Sequence, residues 1–92
     1  MKVTVIFLGP LKVFVGQRSV EFDLPEGATY GALLDDIWAR YGERFPDGIW
    51  DGERGDFKQQ ILAIGRGRDL HSRETSLNDG EDIKLMPFLP GG

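Results

Sequence analysis

Ninety-two residues suit one domain with a single two-layer core and are too few for two. With 40% hydrophobic and 28% charged residues, and no apolar run near the ~20 residues of a membrane span, the composition is that of a soluble globular protein. A net charge of −4 argues against a nucleic-acid surface, and the absence of cysteine excludes disulfides, thiolate metal sites, iron–sulfur clusters and any thiol nucleophile in the chain itself.

Met1-Lys2 leads directly into Val3-Thr4-Val5-Ile6-Phe7-Leu8, which is too short and lacks the cleavage pattern of a signal peptide, so a cytoplasmic location is expected. Val3, Val5 and Phe7 alternate with Thr4, Ile6 and Leu8, which predicts a central strand buried on both sides. Gly9-Pro10 interrupts it. Lys12-Val13-Phe14-Val15 and Ser19-Val20-Glu21-Phe22-Asp23-Leu24, separated by Gly16-Gln17, predict a hairpin with one wet face.

Pro25-Glu26-Gly27 turns the chain, and Thr29 is a suitable cap for a helix ending near Tyr41, with Gly42 expected at the left-handed position. Leu33, Leu34, Ile37, Trp38 and Tyr41 form its apolar stripe, while Asp35, Asp36 and Arg40 face away. Residues 45–56 are rich in Gly, Pro and Asp and predict a solvated loop, with a short helical turn near residues 56–60. Its carboxylates Asp47, Asp51, Glu53 and Asp56 invite a calcium reading, but Ile49 stands where a helix-loop-helix calcium site needs an oxygen ligand.

Ile61-Leu62-Ala63-Ile64 is a short apolar strand, and Gly65-Arg66-Gly67-Arg68 after it lacks the spacing of a phosphate-binding loop and reads as a solvated turn. His71, the lone histidine, is expected in an exposed loop. Leu77-Asn78-Asp79-Gly80-Glu81-Asp82 has turn chemistry and leads into a last strand, Ile83-Lys84-Leu85-Met86. Strands flanking one main helix predict an α+β domain, a mixed sheet packed on one side by that helix. If the first and last strands pair in parallel in the middle of the sheet, the arrangement is the β-grasp of ubiquitin.

The organisation expected is a β-grasp domain over residues 1–86 and an extended tail over 87–92, Pro87-Phe88-Leu89-Pro90-Gly91-Gly92. Pro87 and Pro90 lack amide donors and bias the tail towards extended conformations. Gly91-Gly92 has no Cβ atoms, so the backbone is slender enough for a narrow channel and the α-carboxylate of Gly92 is unhindered. With no cysteine in the chain, any sulfur must come from another protein.

Leu24-Pro25-Glu26-Gly27-Ala28-Thr29 before the helix, Thr75-Ser76-Leu77-Asn78-Asp79-Gly80-Glu81-Asp82-Ile83 before the last strand and the closing Gly91-Gly92 resemble the sulfur carriers of the MoaD and ThiS family, in the family's order across nearly the whole chain. Length, the loop-rich middle and Met86-Pro87 place the resemblance on the MoaD side. The resemblance implies that an adenylyltransferase like the ubiquitin-activating enzymes activates the Gly92 carboxylate with ATP and magnesium. Sulfur from a persulfide donor then gives a thiocarboxylate. It further implies that Pro87, Phe88, Leu89, Pro90 and Gly91 enter a channel in the large subunit of molybdopterin synthase, where the chain is a sulfur-donating co-substrate that holds no cofactor itself. No nucleic-acid or membrane partner is expected. Other readings are a sulfur carrier for thiamin or another product, a protein modifier joined to lysines through Gly92, and a β-grasp binding module without terminal chemistry.

Overall fold

The structure, a computed structural model, describes residues 1–58 and 60–88; the predicted tail positions Leu89, Pro90, Gly91 and Gly92 lie outside the described residues. The elements are β1 (Lys2–Phe7), α1 (Pro10–Val15), β2 (Ser19–Asp23), α2 (Tyr30–Tyr41), a 3-10 turn (Gly42–Arg44), β3 (Trp50–Asp51), β4 (Asp56–Phe57), β5 (Ile61–Gly65), β6 (Arg68–Asp69) and β7 (Asp82–Pro87). Five strands form one sheet in the order β2-β1-β7-β5-β6, and β3 and β4 pair separately. β1 and β7 are parallel while β1–β2, β5–β7 and β5–β6 are antiparallel, which gives the mixed sheet the strand order predicts.

The core lies between this sheet and α2. Val3, Val5 and Phe7 of β1, Phe22 of β2 and Ile83 and Leu85 of β7 meet Leu33, Leu34 and Ile37 of the helix in one cluster of buried side chains. At about 1.5 to 3 kcal/mol for each fully buried large side chain, this seam is the main stabilising contact of the fold. Thr29 caps α2 as predicted, its Oγ1 accepting from the Ala32 N–H at 3.3 Å.

Three expectations are overturned. Lys12-Val13-Phe14-Val15 is part of a helix, not a strand. Pro10 sits in its first turn, where a missing N–H costs nothing, and Gly16 closes it in the left-handed conformation with φ of 86°. Leu11 and Val15, one turn apart, both reach the core, while Val13 is left 73% exposed. A helical pair thus outweighs the short alternation.

Gly42 is not left-handed; its φ of −55° continues the helix into the 3-10 turn. The glycine is required for space, because a Cβ there would lie 2.6 Å from the Trp38 ring. Finally, the segment read as a solvated loop carries the β3–β4 hairpin, and residues 56–57 are strand where a helical turn was expected. Trp50 stacks on Trp38 with ring centroids 4.7 Å apart, and Phe57 packs edge-on against Trp50 and Phe45. Asp56, in the same hairpin, is buried and therefore not a solvated carboxylate.

Candidate functional site

The site follows from how the last strand leaves the sheet. β7 lies between β1 and β5, with Leu85 paired to Phe7 on one side and Ala63 on the other. Ile83 and Leu85 point into the core and are fully buried. Pro87, a predicted tail residue, is the last residue of β7 and is paired with Ile61. Its ring lies where a Cβ on Gly9 would come within 3.4 Å, so Gly9, with φ of 60°, lets the β1–α1 turn pass close by. The next residue, Phe88, donates its N–H to the Gln60 carbonyl at 2.5 Å and keeps its ring 49% exposed. Gln60 thus fixes the direction in which the chain departs.

The start of β7 is held by a buried ion pair that sequence reading missed. Glu81, expected in a turn, has no exposed surface. Its Oε1 accepts from Arg68 Nη2 at 2.8 Å and from the Asn78 N–H at 3.0 Å, and its Oε2 from the Arg66 N–H at 3.0 Å and Arg68 Nε at 3.3 Å. Burial alone pushes the Glu81 carboxyl up; the hydrogen bonds from Arg68, Arg66 and Asn78, with the Arg68 charge, outweigh it and hold the group below the usual carboxylate range. The turn at 65–68 is therefore tied to the turn at 77–81 instead of being merely solvated. A sequence signal existed: an arginine pair at the turn after β5 and a glutamate just before β7, the strand that β5 borders.

The face of the sheet away from α2 is open. Ladder partners share a face, so Ile6, Lys84 and Ile64 stand in one row and Leu62 and Met86 in the next. The four apolar members are half-buried and Lys84 is exposed. β1 is therefore not buried on both sides: its second face is partly covered at Ile6. Towards the start of β7 this face turns acidic, with Glu21, Thr4 and Asp82 in register.

No independent catalytic constellation accompanies these surfaces among the described residues. His71 is exposed as predicted, with Nε2 3.8 Å from Asp69 Oδ2. Among the described residues no group of three His, Asp or Glu side chains is arranged to hold a metal, and no helix is long and apolar enough to cross a membrane. Asp56 is pushed above its ordinary range by burial, against the opposing Phe57 N–H, Arg54 and Arg73. Burial and the nearby Asp56 charge likewise push the Tyr30 phenol up, so it stays neutral. Both are buried.

The family model described as the ThiS family matches residues 5–92. The chain belongs to the ThiS family. Small archaeal modifier protein 3 of Haloferax volcanii is 28% identical over 97 residues, each chain being covered in full. The crystal structure of SAMP1 from Haloferax volcanii superposes with a TM-score of 0.82 at 20% identity, covering 100% of both chains. A Pyrococcus furiosus protein bearing the provisional name molybdopterin converting factor, subunit 1, superposes with a TM-score of 0.76 at 26% identity over 97% of this chain and 99% of its own. The ThiS family chain is thus a β-grasp, ubiquitin-like protein of the small sulfur carriers and modifiers.

Proposed function

We propose that this ThiS family protein is a sulfur carrier that works through the carboxylate of Gly92 and donates sulfur in molybdopterin synthesis as the small subunit of the synthase. The observation that carries the reading is the exit of the chain from the central strand beside an open, mostly apolar sheet face. Such an exit lets a partner grip the domain and receive its end together.

In the proposed cycle, a carboxylate oxygen of Gly92 attacks the α-phosphorus of ATP on an adenylyltransferase of the ubiquitin-activating type, with magnesium neutralising the phosphates and pyrophosphate leaving. The step is needed because oxide is a prohibitive leaving group whereas AMP departs readily. The terminal sulfur of a persulfide then displaces AMP from the acyl carbon, and a thiol cleaves the sulfur–sulfur bond to leave the thiocarboxylate. Pro87, Phe88, Leu89, Pro90 and Gly91 lead this end into the channel of the large synthase subunit, where Gly91 and Gly92 supply the narrow cross-section. The 26% identity with the Pyrococcus furiosus protein across nearly both chains supports the molybdopterin assignment.

The test is intact-mass analysis after incubation with ATP, magnesium, the adenylyltransferase and a persulfide donor. Replacement of one oxygen by sulfur at Gly92 is expected, followed by its loss when the large subunit and the pterin precursor are added. An unchanged mass with an adenylyltransferase active on another carrier overturns the proposal. A second reading, attachment to protein lysines through Gly92, is favoured by the full-length 28% match to a small archaeal modifier protein. Isopeptide-linked conjugates of the chain, absent when Gly91 and Gly92 are deleted, would establish it in place of the molybdopterin role.

A further inference from the structure

We infer that Gln60 is a positioning residue for the carrier's reactive end: its side-chain amide ties the root of the tail to the β3–β4 hairpin and so sets where the Gly92 carboxylate is offered for adenylation. The inference rests on the sulfur-carrier reading above. It adds to that reading the residue that aims the tail.

Pro87 closes β7 but has no N–H to give to either neighbouring strand, so the backbone donor that follows Met86 is that of Phe88. It meets the Gln60 carbonyl at 2.5 Å. That acceptor lies outside β5, in a turn closed by the Ile61 N–H on the Lys58 carbonyl at 3.0 Å. A carbonyl in a turn is held only as firmly as the turn itself. Two hydrogen bonds fasten this one to the hairpin: Gln60 Nε2 donates to the Gly48 carbonyl at 2.6 Å, and the Lys58 N–H to the Ile49 carbonyl at 2.9 Å. The hairpin in turn leans on α2 through the 4.7 Å stack of Trp50 on Trp38. The tail therefore takes its bearing from the helix as well as from the sheet.

Without the side-chain amide the turn keeps one of its two ties to the hairpin, its carbonyl gains freedom and the Phe88 N–H is released more often. Each release moves the hinge of the tail back towards Met86, and a docked carrier then offers its carboxylate over a wider volume. Adenylation demands that one oxygen stand in line with the α-phosphorus, so scatter at that atom slows the bound complex and leaves its formation untouched. The signature is a lower kcat at an unchanged KM.

The experiment compares wild type, Gln60→Ala and Gln60→Glu in two readouts. Glutamate keeps the shape of glutamine but sets a carboxylate, which has no donor, against the Gly48 carbonyl. Amide hydrogen exchange at Phe88, followed by NMR, is expected to quicken about three- to tenfold in both variants, the scale of one lost hydrogen bond, with the Ile83 and Leu85 amides unchanged. ATP–pyrophosphate exchange on the adenylyltransferase is expected to lose kcat by a similar factor, the carrier KM staying within about twofold of wild type.

A wild-type rate of amide exchange at Phe88 in both variants overturns the tie to the hairpin. Faster amide exchange at Phe88 with a wild-type kcat overturns the aiming role and leaves the carrier reading intact. A raised KM at unchanged kcat also overturns it, since it marks Gln60 as a contact of the enzyme. If the Ile83 and Leu85 amides quicken as well, the loss is one of packing and the inference falls. If wild-type carrier is not adenylated at all, the carrier reading falls and the aiming role with it.

Discussion

Arg68 Nη2 stands 2.8 Å from the Glu81 carboxylate, and the glutamate has no exposed surface while the arginine side chain remains one-third exposed. The pair joins the β5–β6 turn to the residue just before β7, so both turns share one charge-assisted network. Gly65 belongs to the same arrangement, since a Cβ there would collide with Oε2.

Removing the carboxylate leaves Arg68 able to reach water but strands the Arg66 and Asn78 amides. Glu81→Ala is expected to destabilise by about 3 kcal/mol, the low end for breaking a buried pair, read as a lower urea midpoint with unchanged slope. Gly65→Ala should reproduce the loss by forcing Glu81 aside.

The same glutamate shapes the acid limb of stability. Its folded pKa lies below the unfolded one, so its contribution is complete above the ordinary Glu range near ~4.3 and is lost as pH falls through the folded value. Glu81→Gln should flatten that part of the profile in thermal melts taken at successive pH values. A slope as steep as wild type would show that other carboxylates dominate.

Asp56 has the opposite sign. Burial raises its pKa, so its favourable contribution is present below the unfolded value and is lost as pH rises through the folded one. Asp56→Asn keeps an oxygen for the Phe57 N–H, which Oδ1 accepts at 2.7 Å, and gives up only a 3.5 Å contact to a half-exposed Arg54. The variant is expected to melt at or above wild type at pH 7, the margin closing as pH falls through the raised folded value towards the ordinary Asp value of about 3.9.

Gly42→Ala tests the aromatic stack. With Cβ 2.6 Å from the Trp38 ring, either the backbone or the indole must move, and the 4.7 Å stack on Trp50 is the softer element. A cost of about 1 to 3 kcal/mol is expected, with loss of the near-UV circular dichroism of the coupled tryptophans.

Deleting Gly91 and Gly92 should leave the unfolding free energy, read from urea melts, within about 0.5 kcal/mol of wild type, because the core lies upstream. Adenylation should be abolished. Ile37→Ala is the converse: a loss of roughly 2 to 5 kcal/mol from the helix–sheet seam, with adenylation per folded molecule unchanged.

The elements that sequence reading placed well are those with long, consistent patterns. Leu33, Leu34 and Ile37 mark a helix over three turns, Val3, Val5 and Phe7 mark a strand, and Thr29 marks the cap. Short patterns failed. Four residues from Lys12 fit either period, and only the distance from Leu11 to Val15 in space decides for helix. Gly42 was recognised as necessary but for the wrong reason, since its neighbour across the turn is an indole that local signals do not reveal. Asp56 and Glu81 read as wet because carboxylates usually are; their burial depends on residues far along the chain, Tyr30 and Arg73 near one and Arg68 beside the other. The apolar face at Ile6, Ile64, Leu62 and Met86 was hidden in the same way, because alternation alone does not tell a covered side from an open one.

Placing β7 between β1 and β5 has a mechanical result. An enzyme that draws on the C-terminal side of Phe88 loads the two flanking ladders along their length, so many hydrogen bonds resist together and none opens first. Hung from an edge strand, the same end would peel its host away one bond at a time. In the proposed cycle the domain would serve as an anchor that tolerates traction each time the end is captured and released.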